Sequence, residues 1–421
     1  MKAKTRGQPR KEIKVARPLE GVRILEWAVF HNGPAAGYML GDLGAEVIKI
    51  EEPVRGDPIR GMESLFGSVM SLPGGRNIGF ETANRSKKGI TLDLKKEEGR
   101  QVLCRLVKKA DVFYTNFRRE VARDLGADYD TLKKHNPGLI YAVNSGLGTR
   151  GPEAHKRSFD TIAQARSGIM WAVGDRDHTE PFQLVGAILD QMGATMFAYG
   201  ILAALLCRER TGIGQEIEVS LLGSALHLQA LNINTALLRQ WPQARHSRTR
   251  ARNPLANHYR CTDGKWLMLA EPQSDRFWSP FCQAIDRPEL EKDPRFENAL
   301  KRRDNCQELI RILDTVFSTR IREDWLKTLE EKAGGLAFAP IVELSEVADD
   351  PQVQANEYIV GYDHPTLGKI KLLGCPVRFS QTPAGIAGPA PEFGQHTEEV
   401  LLEIGGYSWE EVAQLREKGA I

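Results

Sequence analysis

Short apolar runs alternate with amphipathic stretches through the first half of the chain. Residues 22–25 and 47–50 are runs of the kind that form buried strands, and 33–43 between them carries helical spacing. The same alternation continues with strands at 90–92, 111–114 and 139–143 and a helix at 97–108. Repeated strand–helix–strand order predicts an α/β fold built on a mostly parallel, Rossmann-like sheet. In such sheets ligands bind beyond the carboxyl ends of the strands, so the loops after Leu25, Ile50, Tyr114 and Val143 are the first places to search. Two long helices are expected next, at 159–173 and 188–210, then a strand at 216–220 and a helix to about Leu238.

The pattern changes after that point. Residues 239–256 set five arginines among Pro, Asn and Ser without periodicity, which reads as a linker. A hairpin at 259–269, turned at Asp263-Gly264, and three helical stretches within 275–332 predict a smaller α+β domain. Strand-like runs at 370–373 and 377–379 and a last helix from Ser408 return to the larger unit. The expected organisation is therefore a large domain from 18–238 and 340–421, with a linker and small domain inserted at 239–339. Residues 1–17 hold seven Lys/Arg against the single acid Glu12 and form a charged leader with no apolar stretch behind it.

Composition narrows the chemistry mostly by exclusion. The 57 Lys/Arg against 55 Asp/Glu leave a formal charge of +2, too balanced for a dedicated nucleic-acid binder. The six cysteines show no metal-ligand spacing, which points to reduced thiols in a cytoplasmic protein. The longest mainly apolar run, 194–207, is shorter than a bilayer span and is closed by Arg208, Glu209 and Arg210, so no membrane partner is expected. No Walker, GxSxG or HExxH sequence is present. Residues 146–151 match GxGxxG, but Pro152 follows at once where the motif needs a helix, so nicotinamide or flavin binding is disfavoured.

Asp190 is the strongest single candidate for chemistry. It falls in the first turn of an apolar helix, where amide N–H groups and the helix dipole favour a carboxylate, and Gly186, Ala187, Gly193 and Ala194 around it are small. A carboxylate with open space is a competent nucleophile. On spacing alone, a helix-stabilising charge is the commoner explanation of such an acid.

Several ordered motifs resolve that choice. Pro18-Leu-Glu-Gly-Val-Arg-Ile-Leu-Glu26, Gly33-Pro-Ala-Ala36, Leu43-Gly-Ala-Glu-Val-Ile-Lys-Ile-Glu51 and Gly56-Asp-Pro58 resemble the N-terminal signature of the family III CoA-transferases. This is the CaiB/BaiF group of formyl-CoA and carnitine CoA-transferases, which also includes the α-methylacyl-CoA racemases. Leu92-Asp-Leu94, Asn116-Phe117, Phe159-Asp-Thr-Ile-Ala-Gln164, Leu202-Ala-Ala-Leu205, Arg208-Glu-Arg-Thr-Gly-Ile-Gly-Gln215 and Gly394-Gln-His-Thr-Glu-Glu-Val400 continue the resemblance to the C-terminus.

The resemblance implies an enzyme that moves CoA from an acyl-CoA donor to a carboxylic acid, with Asp190 as the nucleophile and aspartyl anhydride and aspartyl-CoA thioester intermediates. It implies no tightly bound cofactor, coenzyme A entering only as part of the substrates. It also implies CoA contacts at His31, Asn32, Leu92, Lys95, Asn116, Phe117, Arg118, Arg123 and Arg157. The partners it implies are acyl-CoA, a small acid and a second copy of the chain in an interlaced dimer, or a paralogous subunit in a heterodimer. His31 stands where the transferases often carry a glutamine, and Arg123 is one position off a family arginine. The racemases carry a histidine where this chain has Phe159, which favours transfer over the alternative of racemisation. The glycine-rich active-site loop of formyl-CoA transferase is absent from 239–260, so the acceptor is expected to be larger than formate or oxalate, a benzylsuccinate-type acid being one candidate.

Overall fold

Six apolar strands build one parallel sheet. The computed structural model describes residues 17–65, 67–241 and 244–421; the basic leader lies outside the described residues except for Arg17. The strands are β1 (Arg23–Trp27), β2 (Glu46–Glu51), β3 (Lys87–Thr91), β4 (Val112–Thr115), β5 (Ile140–Ser145) and β6 (Glu216–Ser220). They lie in the order β6-β5-β4-β1-β2-β3, every neighbour parallel, which is the α/β class expected. From β1 the chain winds outward through β2 to β3; from β4 it winds the opposite way through β5 to β6. The winding direction therefore reverses between β1 and β4.

Strand alternation gives the sheet two buried faces. On one, Leu25, Ile48, Ile50, Phe113 and Tyr141 pack with Val102, Leu103 and Leu106 of α2 (Glu97–Val107). Val400, Leu401, Val412 and Leu415, from the C-terminal helices Thr397–Glu403 and Trp409–Glu417, close that face. On the other, Ile24, Val47, Val112, Ile140 and Ala142 meet Ala35, Ala36 and Leu40 of α1 (Asn32–Asp42) and Ala194, Phe197 and Ile201 of the helix Ile188–Thr211. That helix is 24 residues long, longer than the apolar run read from sequence, and by length and composition alone it could cross a membrane. Its packing on α1 and the sheet makes it a core helix of this unit.

Beneath α1 lies a cluster of buried charges. Lys49 Nζ is 3.2 Å from Glu26 Oε1 and 2.9 Å from Asp57 Oδ2, Lys87 Nζ is 2.7 Å from Glu26 Oε2, and the Tyr114 hydroxyl donates to Glu26. A Cβ on Gly37 would sit 2.2 Å from Glu26 Oε2, so α1 settles over the cluster only with glycine there.

The chain divides into two compact units, and the second comprises Met170–Phe182 and Asn234–Asn356. Ala256–Arg260 and Trp266–Ala270 form an antiparallel hairpin around Asp263-Gly264, and Phe338–Ile341 adds a third strand. Helices Ser274–Ala284, Cys306–Phe317 and Arg322–Lys332 bury Trp278, Phe281, Phe317 and Trp325 in its core. Two local expectations fail. The helix expected over 159–173 stops at Ser167, because Gly168 takes φ +81° and caps it in the left-handed conformation. Residues 377–379 join no sheet, whereas Ile359–His364 forms an antiparallel hairpin with Gly368–Leu373.

Candidate active site

The reversal of winding between β1 and β4 opens a crevice beyond their carboxyl ends, the place where ligands bind in sheets of this type. Val29, Phe30 and His31 leave β1 on one side of it, and Asn116, Phe117 and Arg118 leave β4 on the other. The Asn116 amide stitches the two loops together. Its Oδ1 accepts from Val29 N at 3.0 Å and its Nδ2 donates to Val29 O at 2.7 Å. Trp27 and Phe117 stack at 4.3 Å between ring centroids. Phe30 takes φ +63°, an unfavourable conformation for a bulky residue, and Asp57 of the Gly56-Asp-Pro58 motif holds it by accepting from Phe30 N at 3.1 Å. A cavity of about 590 Å³ fills the crevice, and Asp190 is in its wall.

Asp190 stands in the first turn of α4 (Ile188–Thr211), after Gly186 (φ +85°) and Ala187 (φ +54°), the latter in a left-handed conformation that residues with a Cβ rarely adopt. The local reading from sequence was that free amides would keep this carboxylate ionised. The structure corrects it. Leu189 N and Asp190 N both donate to Asp160 Oδ2, at 2.6 and 3.0 Å, so those amides serve another carboxylate. Asp160 begins the helix α3 (Asp160–Ser167). The Asp190 side chain itself accepts no hydrogen bond among the described residues. Burial and the neighbouring Asp160 charge push its pKa up to about 7. Gly193 also differs from expectation: the space beside it is filled by Asn32 and Leu221, whereas Gly186 faces open space.

His31 hydrogen-bonds Gln191, the residue after Asp190, through Nε2 at 3.2 Å, and Gln191 Nε2 donates to the Tyr38 hydroxyl at 3.2 Å. Burial lowers the His31 pKa, which favours a neutral imidazole beside the nucleophile candidate. Asn32 is buried, and its Oδ1 accepts from Asn144 Nδ2 at 2.5 Å. Phe30 and Phe159 meet edge to face at 5.9 Å, and both rings line the cavity.

The crevice thus brings together His31, Asn32, Asn116, Phe117, Arg118, Arg157 and Asp190. Arg118 and Arg157 are exposed and have no carboxylate partner among the described residues, which suits an anionic ligand. Three expected contacts lie elsewhere. Leu92 is in the core below α2, Lys95 is exposed outside the cavity, and Arg123 is exposed beside a smaller depression with Tyr129 and Glu216. Asp160, Gln191 and Asn144 join the site without any role expected from the sequence. Asp160 and Gln164 did share a motif at i, i+4 spacing, the one signal that could have drawn attention to them.

A sequence profile described as CoA-transferase family III matches residues 19–397. The chain belongs to that family. Over 96% of its length this family III CoA-transferase is 33% identical to (R)-2-hydroxy-4-methylpentanoate CoA-transferase of Clostridioides difficile, covering 99% of that protein. It is also 33% identical to succinyl-CoA–D-citramalate CoA-transferase of Chloroflexus aurantiacus, over 96% of this chain and 98% of the other. Among solved structures, a CaiB/BaiF family protein from Brucella suis superposes with a TM-score of 0.83 at 30% identity, over 92% of this chain and all of that one. The relatives act on different acids, so family membership leaves the acceptor open.

Proposed function

We propose that this CoA-transferase works by covalent relay through Asp190. The carboxylate attacks the thioester carbonyl of the donor, giving an acyl-aspartyl anhydride and CoA thiolate. The thiolate attacks the aspartyl carbonyl, forming the aspartyl-CoA thioester and freeing the donor acid. The acceptor carboxylate attacks that thioester and expels the thiolate. The thiolate then takes the acceptor acyl group and restores Asp190. Each step exchanges one activated acyl bond for another, so the sequence balances without a further co-reactant. The observation that carries this reading is the Asp190 carboxylate itself: unpaired, half-buried, and in the wall of the switch-point cavity. With its pKa pushed up to about 7 it is a better nucleophile than an ordinary aspartate, half ionised at neutral pH and largely ionised at mildly basic pH.

Arg118 and Arg157 are fitted to hold CoA phosphates at the cavity mouth. His31, which burial biases toward its neutral form, suits a hydroxyl or carbonyl of the substrate, and the Phe30–Phe159 pair suits an apolar substituent. These features favour an acceptor larger than formate or oxalate. Phe159 has no group that can give or take a proton, which disfavours racemisation. Tyr199, Leu206, Ile213 and Leu228 are exposed on the same unit and support a dimeric assembly, which light scattering of the purified chain would test. All six cysteines are free, in keeping with a cytoplasmic enzyme.

The test of the relay is mass spectrometry after incubation with an acyl-CoA and hydroxylamine. A hydroxamate is expected on Asp190 and none in Asp190→Ala. An Asp190→Ala enzyme with full exchange activity would overturn the reading.

A further inference from the structure

The motif Phe159-Asp-Thr-Ile-Ala-Gln164 has no task in the relay, yet Asp160 and Gln164 are both buried and both bond to the segment that leads into Asp190. Gln164 clamps the approach to α4. Its Oε1 accepts from Leu184 N and its Nε2 donates to Leu184 O, each at 2.9 Å, while the same Nε2 reaches Asp160 Oδ1 at 2.5 Å. Asp160 Oδ2 then receives Leu189 N and Asp190 N. The helix has no cap of its own, since Ala187 at its head offers no side-chain acceptor. Every hydrogen-bonding neighbour of Asp160 is a donor, an environment that suits a carboxylate. A residue 30 positions away thus caps the nucleophile's helix and holds a negative charge beside it.

We propose that Asp160 is a positioning residue of the transfer reaction, capping the helix of Asp190 and using its charge to keep the Asp190 carboxylate basic enough to attack the thioester. The inference rests on Asp190 being the nucleophile. A neutral cap would leave the two amides pulling on Asp190 through the helix dipole with no opposing charge, and the attacking oxygen would be weaker. Burial and the Asp160 charge both raise the Asp190 pKa, in agreement with this geometry. Other ionisable groups surround the same carboxylate. His31, at the head of α1, is biased toward its neutral form by burial. Arg118, Arg119, Glu120, Lys156 and Arg157 line the cavity. Arg119 is paired with Glu216 and Glu218, Lys156 with Glu153, and none of the five hydrogen-bonds Asp190.

Asparagine caps helices as well as aspartate does, so Asp160→Asn separates the charge from the cap. The experiment measures kcat/KM from pH 5 to 9 for the wild type, Asp160→Asn, Asp160→Ser and Asp160→Glu, together with hydroxamate trapping at Asp190 and the melting temperature. In both neutral variants the acid limb is expected to move down by at least about one pH unit, and the alkaline plateau to fall about tenfold. Asp160→Glu should restore the wild-type limb. A limb that stays in place in a folded neutral variant overturns the proposal, because a merely structural cap moves only the melting temperature. Asp160→Ser serves if Asp160→Asn does not fold. Failure of the wild type to label Asp190 would instead strike the relay itself, so the two failures are distinguishable.

Discussion

Glu26 and Asp190 lie in the same unit, both withdrawn from solvent, and their surroundings are opposite in kind. Glu26 has two lysines and a tyrosine hydroxyl on its oxygens, under a helix that packs directly against it. It is shut in and fully compensated. Lys49 is held above the ordinary lysine range by Asp57 and Glu26 despite its burial, and burial pushes Lys87 down to about 8. Asp190 has a second carboxylate for a neighbour, no donor on its own oxygens, and a cavity in front of it. The comparison teaches that burial of an acid is not in itself a sign of function. An acid whose charge is neutralised by its partners secures a packing arrangement, and one whose charge is opposed by them is left free for the chemistry proposed above.

The most severe way to test this contrast is to remove each acid. Asp190→Ala should lower kcat by roughly 10⁴-fold, as loss of a covalent nucleophile does, with the melting temperature little changed. Retained turnover would break the assignment. Glu26→Gln should do the reverse. It strands two buried lysines and should destabilise the fold by about 3–5 kcal/mol in urea titration, while the folded fraction keeps its activity. An unfolding midpoint equal to the wild type's would mean that the cluster is not what seats α1. Gly37→Ala pushes a methyl group into Glu26 and Tyr114 and should cost about 1–3 kcal/mol by the same measurement.

The smallest effects concern pH. The proposed relay needs an ionised Asp190, so kcat/KM should rise with pH through an apparent pKa near 7, and a limb near 4 would contradict the burial described. A carboxyl whose folded pKa is raised is easier to bury protonated, so the stability linked to it is present in acid and lost as pH rises through about 7. Asp190→Asn should therefore stabilise the protein by about 1 kcal/mol at pH 8 and by less at pH 5, a difference that thermal melts at the two pH values can read. Equal stabilisation at both would show that the effect is not one of charge.

Much of this arrangement was legible in the chain. Runs such as 47–50 identify buried parallel strands because both faces of the sheet are covered, and the strand–helix alternation makes a parallel sheet the natural reading. Ile359–His364 escaped because it is half exposed and interrupted by Gly361, Tyr362 and Asp363, which leaves no clean apolar face. Residues 377–379 misled because the alternation Val377-Arg378-Phe379 after a proline resembles a strand whether or not a partner exists. Gly168 looked tolerable inside a helix and instead ended it. At the site, Asp190 could be singled out from its helix and the surrounding motifs, but the direction of its perturbation could not. The local expectation of amides favouring the charge was overridden by Asp160, a partner too distant in sequence for any periodicity to join to it. The tie between His31 and Gln191, across 160 positions, was invisible for the same reason.

The C-terminal helices Thr397–Glu403 and Trp409–Glu417 close one face of a sheet whose strands all come from residues 23–220. During synthesis that face emerges early and waits for its cover. The segment Asn234–Asn356, with its own core, is made in between. The nascent sheet must therefore spend the whole of that interval with this face covered by α2 but not by its C-terminal helices, a state that invites chaperones and aggregation. Stop codons late in the reading frame would yield a chain that carries every residue of the crevice and still fails to accumulate.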